Sequence, residues 1–154
     1  MTIDIYENQF VKFLIKAKQN TYAGNGVLTQ SSRQTSKDFS FREGEFSYLD
    51  TYLGNLHFIG EEAVWYTQKP VWGMNYYGRM LVEKIPPRFG EFLKSALLQV
   101  PIEMPYRGPE ELITPEFSYT CCVDGNLEWF QGQEFISNQG KRIYQLDFQG
   151  GVII

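Results

Sequence analysis

Residues 4–18 carry apolar side chains at helical spacing. Tyr6, Phe10, Phe13, Leu14 and Ala17 form one stripe, with Lys12, Lys16 and Lys18 off it, which predicts an amphipathic helix with a solvated lysine face. Asp4 and Glu7 read as a capping box with Asp in the place of Ser or Thr. Residues 22–44 are rich in turn formers, among them Asn25-Gly26 and the polar run Ser31 to Ser36, and are expected to form a surface loop. From 45 to 80 the period changes to two. Phe46, Tyr48, Asp50 and Tyr52 alternate with Ser47, Leu49, Thr51 and Leu53, Gly54-Asn55 turns the chain, and further strands follow at 56–66 and 71–80, joined at Thr67 to Pro70. Gly60 is a candidate bulge. Trp72, Met74 and Tyr76 share one face of the last strand, and Asn75, Tyr77 and Arg79 the other.

Pro86-Pro87 opens a second helix, in which Phe89, Phe92, Leu93, Ala96, Leu97 and Val100 make a wide apolar stripe, and Pro101 stops it. Met104 to Pro109 reads as an extended loop. Strands are predicted at 116–123, 127–136 and 141–149, with turns at Asp124 to Asn126 and Asn138 to Gly140. No repeat of solenoid length and no linker divide the chain, so 1–154 reads as a single domain. Strands in runs with few helices imply an α+β fold: a curved antiparallel meander sheet with both helices on one face. The other, more polar face is left for solvent or a ligand.

Composition narrows the function classes. Aromatic residues make up 16% of the 154, and 14 Lys and Arg against 18 Asp and Glu give a net charge of -4. That balance speaks against a nucleic-acid-binding face, which needs a basic surface. No apolar run reaches the ~18 residues of a membrane span. The N-terminus has no secretory pattern, and the two cysteines, Cys121 and Cys122, are strand neighbours that point to opposite faces. A reducing, cytoplasmic setting follows as an expectation, with Cys121 on the more apolar register.

Catalytic signatures are sparse. His57 is the one histidine, so a nucleophilic triad has one available base, and no Gly-x-Ser-x-Gly elbow is present. His57 with Glu61 and Glu62 lacks metal-ligand spacing, and Gly24-Asn25-Gly26 lacks a phosphate-loop context, so neither a metal nor a cofactor is expected. Asp50 with Glu61 or Glu62 forms a candidate acid–base pair. Arg33, Arg79 and Arg107 are the available counter-ions, and Arg107, stiffened by Pro105 and Pro109, is expected to reach one of those three acids. Aromatic bodies with a few directed polar groups are the material of ligand pockets. The expected ligand-binding set is Tyr22, Arg33, Asp50, Tyr52, Glu61, Glu62, Trp72, Asn75, Tyr77 and Arg107.

The segments Thr21 to Gly26, Ser31-Ser-Arg33, Tyr48 to Gly54, Phe58 to Val64, Pro70 to Gly78, Phe92 to Leu97, Pro105 to Pro109 and Phe148 to Gly151 together resemble an uncharacterised bacterial domain family of unknown function. The resemblance implies a domain that occurs alone or behind a helix-turn-helix of the xenobiotic-response type. This chain, starting on its own first helix, would be a stand-alone version. A small-molecule-binding or sensor-like module is the leading expectation. The alternatives are a cofactor-independent hydrolase or isomerase using paired carboxylates, and a protein-interaction domain, possible as a homodimer.

Overall fold

The computed structural model describes residues 8–154; the capping box expected at Asp4 and Glu7 lies outside them. Among the described residues there are two helices and eight strands. Helix α1 (Asn8–Gln19) precedes β1 (Lys37–Glu43), β2 (Phe46–Gly54), β3 (His57–Tyr66) and β4 (Lys69–Met80). Helix α2 (Phe89–Leu98) precedes β5 (Glu111–Ile113), β6 (Phe117–Asn126), β7 (Trp129–Asn138) and β8 (Lys141–Val152). The strands form one open antiparallel sheet in the order β1-β2-β3-β4-β8-β7-β6-β5. Both helices lie on one face. Phe10 of α1 packs edge-on against Trp72, and Phe92 of α2 stacks on Phe117. Phe10, Phe13, Leu14 and Ala17 of α1 and Phe92, Leu93, Ala96 and Leu97 of α2 are buried, as the 3.6-residue spacing requires; Tyr6 lies outside the described residues.

Four details depart from the sequence pattern. The turn-rich stretch 22–44 is not all loop, because 37–43 adds β1 to the sheet edge. Phe39 is buried there among Lys37, Asp38, Ser40 and Arg42, polar residues that suit an edge strand but mask its alternation. Buried Asp38 ties the preceding loop to the sheet through Ser32, Ser36 and Thr51 (2.7–2.9 Å). The short edge strand β5 lies between the loop read at Met104 to Pro109 and the strand expected at 116–123, where the sequence pattern predicts no element. Gly60 stays in register opposite Tyr76, and the bulge falls at Val64/Trp65 instead. Gly60 is there because a Cβ would meet the Tyr76 hydroxyl at 2.4 Å and its ring at 2.5 Å. Finally, Lys18 is not on a solvated face. It is buried, 7% exposed, because its ammonium crosses to Glu62 and to the Tyr106 carbonyl.

The chain is a tandem of two α-β4 units, a longer period than a solenoid repeat. Glu45-Phe-Ser-Tyr48 recurs as Glu116-Phe-Ser-Tyr119, and Gly54-Asn-Leu56 as Gly125-Asn-Leu127. Phe58, Gly60 and Glu62 recur as Phe130, Gly132 and Glu134. The backbone repeats too. Gly54 and Gly125 sit at φ 100° and 99°, the β3/β4 and β7/β8 turns both use two positive-φ residues, and both hairpins carry a bulge at the equivalent place. The units join through β4 and β8, centred on the Tyr76–Phe148 pair. The repeat spacing is such that this pair is also an equivalent pair, which places an approximate two-fold axis there, normal to the sheet.

Candidate functional site

Among the described residues, the interior between helices and sheet holds five buried acidic and basic side chains: Lys18, Asp50, Glu62, Arg107 and Glu134. Asp50 and Glu62 are cross-strand partners on β2 and β3, and both face the helices by simple alternation. At the equivalent place in the second unit Cys121 faces Glu134. The stiff loop after α2 delivers Arg107 to Glu134, not to Asp50, Glu61 or Glu62 as the sequence suggested. The guanidinium binds both carboxylate oxygens, at 2.6 and 3.1 Å. The hydroxyls of Tyr119 and Tyr144 donate to the same carboxylate at 2.6 and 2.8 Å, and the Gly108 amide donates to the Tyr119 hydroxyl at 2.9 Å. Gly108 is required because a Cβ would lie 2.7 Å from the Tyr119 ring. Arg107 chose the acid of its own unit because β5–β8 brings Glu134 beneath the loop, a placement set by strand order.

Burial and hydrogen bonding divide these groups. Burial opposes the Glu134 charge, but Arg107 and the two phenols outweigh it and lower the pKa of the carboxyl. Burial likewise opposes the Arg107 charge, and Glu134 outweighs it in the other direction. Lys18 is pulled below the ordinary lysine range by burial, against the attraction of Glu62. For Asp50 the Tyr76 hydrogen bond and the more distant Arg107 and Lys18 charges do not outweigh burial. Burial, then the neighbouring Glu62 charge, push its carboxyl up to about 7, although the Tyr76 hydroxyl donates to it at 2.6 Å. Burial also raises Tyr22, and lifts Tyr52 to about 12, so both phenols stay neutral.

A cavity of about 90 Å³ lies against Asp50 and Arg107, walled by Tyr22, Tyr52, Phe58 and Tyr76, with Leu93 of α2 above and Asn55 at the solvent edge. A smaller void of about 20 Å³ adjoins the Lys18–Glu62 pair and shares Tyr22, Asp50 and Arg107 with it. The rings meet edge to face: Tyr22–Tyr52 at 6.2 Å, Tyr52–Phe58 at 6.3 Å and Phe58–Tyr76 at 6.1 Å between centroids. Tyr22 and Tyr52 are half-buried, and Lys94 and Lys37 lie over their rings at 4.9 and 5.5 Å.

Of the ten residues expected in a site, Tyr22, Asp50, Tyr52, Glu62 and Arg107 come together here. Arg33, Glu61, Asn75 and Tyr77 line a trough of about 1000 Å³ on the opposite sheet face, with Gln131, Gln133, Asp147 and Gln149. Glu61 is therefore parted from Asp50 and Glu62 by the sheet. Trp72 belongs to neither group. It is fully buried in the core, stacked on Phe130, and its indole donates to the Leu127 carbonyl. His57 is exposed at the start of β3, opposite Arg79. Sequence reasoning missed Lys18, Tyr76 and Glu134 as site residues. The recurrence of Glu62 as Glu134 within the internal repeat was the signal that marks the two buried acids.

A family model described as a domain of unknown function, DUF5680, matches residues 50–153. The matched stretch contains Asp50, Glu62, Tyr76, Arg107 and Glu134; Lys18 and Tyr22 precede it. No curated protein and no solved structure matches the chain.

Proposed function

We propose that this chain, which belongs to the DUF5680 family of domains of unknown function, is a small-molecule-binding module whose site is the cavity beside Asp50. One observation carries the reading: a buried carboxyl with no contacting cation among the described residues forms the wall of a cavity whose mouth is framed by two half-buried tyrosines. Ligand pockets combine such apolar aromatic walls with few directed polar groups. Desolvated ionisable groups with displaced pKa values cluster at functional sites. A cytoplasmic setting belongs to the same proposal, and the two free cysteines favour it. So does the sensing role that helix-turn-helix fusions, implied by the sequence resemblance, would give such a module. No described helix is long and apolar enough to cross a membrane.

The test is ligand mapping by NMR with pooled metabolites. A genuine ligand shifts the ring resonances of Tyr22, Tyr52 and Phe58. Hits that shift Ile59 and Tyr77 alone would move the site to the trough and overturn the reading. The register of Asp50 against Glu62 favours a second reading, an acid–base enzyme in which Asp50 exchanges the proton beside the Lys18–Glu62 pair. Turnover with a titration near pH 7 that vanishes in Asp50→Asn would select it.

A further inference from the structure

We propose that the cavity beside Asp50 takes a small organic monocation, a primary or methylated ammonium group seated against the Asp50 carboxylate between the aromatic rings. The inference rests on the reading of the cavity as the binding site and adds the ligand's charge. It comes from a balance of charges. Glu62 is closed by Lys18, and Glu134 by Arg107. Asp50 is the third carboxyl buried between helices and sheet, and among the described residues no cation contacts it; its hydrogen bond comes from a neutral phenol. An ionised carboxylate buried without a counter-ion is strongly disfavoured, so the site holds either a proton or a cation there. The second unit supplies the contrast. At the place of Asp50 it has Cys121, uncharged, and its one acid is fully paired.

The walls suit the same ligand. Tyr22, Tyr52, Phe58 and Tyr76 surround the cavity, and aromatic faces attract ammonium groups, most strongly when both are desolvated. A volume of about 90 Å³ accepts a head group of a few heavy atoms, with any remainder of the ligand leaving past Asn55. The groups facing Asp50 are Lys18 from α1, Glu62 from β3, Tyr76 from β4 and Arg107 from the loop after α2. The two cations among them are already bound to their own carboxylates, so each pair presents a dipole and not a net charge. Lys37 is exposed, where salt screens it; half-buried Lys94 lies over the outer tyrosine, Tyr22, and donates to the Asn25 side chain.

The experiment titrates the whole chain with methylammonium and trimethylammonium chloride, with sodium chloride, sodium acetate and acetamide as the salt, anionic and neutral counterparts. Binding is read by calorimetry and by the ring resonances, from pH 5.5 to 8.5. Because the ammonium group displaces a proton, its apparent Kd should rise about tenfold per pH unit below pH ~7 and stay flat above it. Asp50→Asn, checked for folding by circular dichroism, should abolish binding. Tyr52→Leu should weaken it without changing the pH slope. Ammonium ions that act no better than sodium chloride at pH 8.5, or that bind Asp50→Asn equally well, overturn the proposal. Acetate or acetamide shifting the same rings while the ammonium ions do not would overturn the charge assignment and leave the cavity as the site. Metabolite hits confined to the trough would remove both.

Discussion

Replacing Asp50 by Asn should make the protein more stable above neutral pH. The folded state holds the Asp50 proton far more tightly than an unfolded chain does, since the carboxyl moves from 3.8 to about 7 on burial. The stability contributed by that proton is complete below pH ~4. It is lost as pH rises, and above pH ~7 the fold must carry a buried carboxylate. Three pH units at 1.36 kcal/mol each set the ceiling of the effect at about 4 kcal/mol. Asparagine has the same shape, carries no charge at any pH, and keeps an oxygen for the Tyr76 hydroxyl, so the tyrosine remains bonded. Glu134 and Asp38 contribute with the opposite sign at acid pH, Asp38 having a carboxyl lowered to about 2, and both cancel between wild type and variant. Urea melts followed by tryptophan fluorescence at pH 4.5, 6, 7.5 and 8.5 measure the difference. It should grow in favour of Asp50→Asn across that range. A difference that does not change with pH would refute the claim that Asp50 is desolvated and unpaired in the fold.

Three further outcomes are expected. Arg107→Met leaves Glu134 as a buried, uncompensated charge and should cost about 3–5 kcal/mol in denaturant melts, with Arg107→Lys recovering only part because an ammonium cannot reproduce the two-point contact. Leu97→Ala should cost ~2–5 kcal/mol, since Leu97 is 6% exposed beneath α2; a loss under about 1 kcal/mol would mean that α2 is not docked. In native protein a thiol reagent should modify Cys122 rapidly and Cys121 only on unfolding, because Cys121 is buried and its thiol is pushed up to about 12; equal labelling rates would contradict this.

The sequence pattern located both helices and six of the eight strands because their alternation is carried by aromatic and aliphatic residues on one face. It missed β1 and β5, where an edge position lets polar residues replace the pattern and length is short. Within the site, period-two alternation accounts for Asp50 and Tyr52 facing the helices and for Asn75 and Tyr77 facing away, but the sequence reading leaves Glu61 and Glu62 as alternatives and gathers residues of both faces into one expected set. Pairings between distant elements were not legible. Lys18 looks like any lysine beside an apolar stripe, and its burial depends on Glu62 arriving from another element. Arg107 has a choice of acids in the sequence, and strand order selects Glu134. The repeated Glu-Phe-Ser-Tyr and Gly-Asn-Leu segments were present throughout, at a spacing longer than the periods of solenoid arrays.

An α-β4 unit standing alone would end in β4 with its hydrogen-bonding edge bare, and its natural remedy would be to lie against another copy of itself across a two-fold axis. Here the second copy is supplied in the same chain, so β4 meets β8 with no dependence on concentration. Covalent fusion also breaks a constraint that every true homodimer obeys. In a homodimer a residue change appears on both sides of the axis, and an extra buried acid on one side would have to be borne twice. In the tandem chain the two sides vary separately: one keeps a closed, fully neutralised anchor at Glu134, while the other carries Asp50 opposite Glu62 and opens a cavity beside it. The two halves thereby differ in chemistry although they share one sheet: the Glu134 side is closed, while the Asp50 side borders a cavity that Leu93 and Arg107 of the second unit complete.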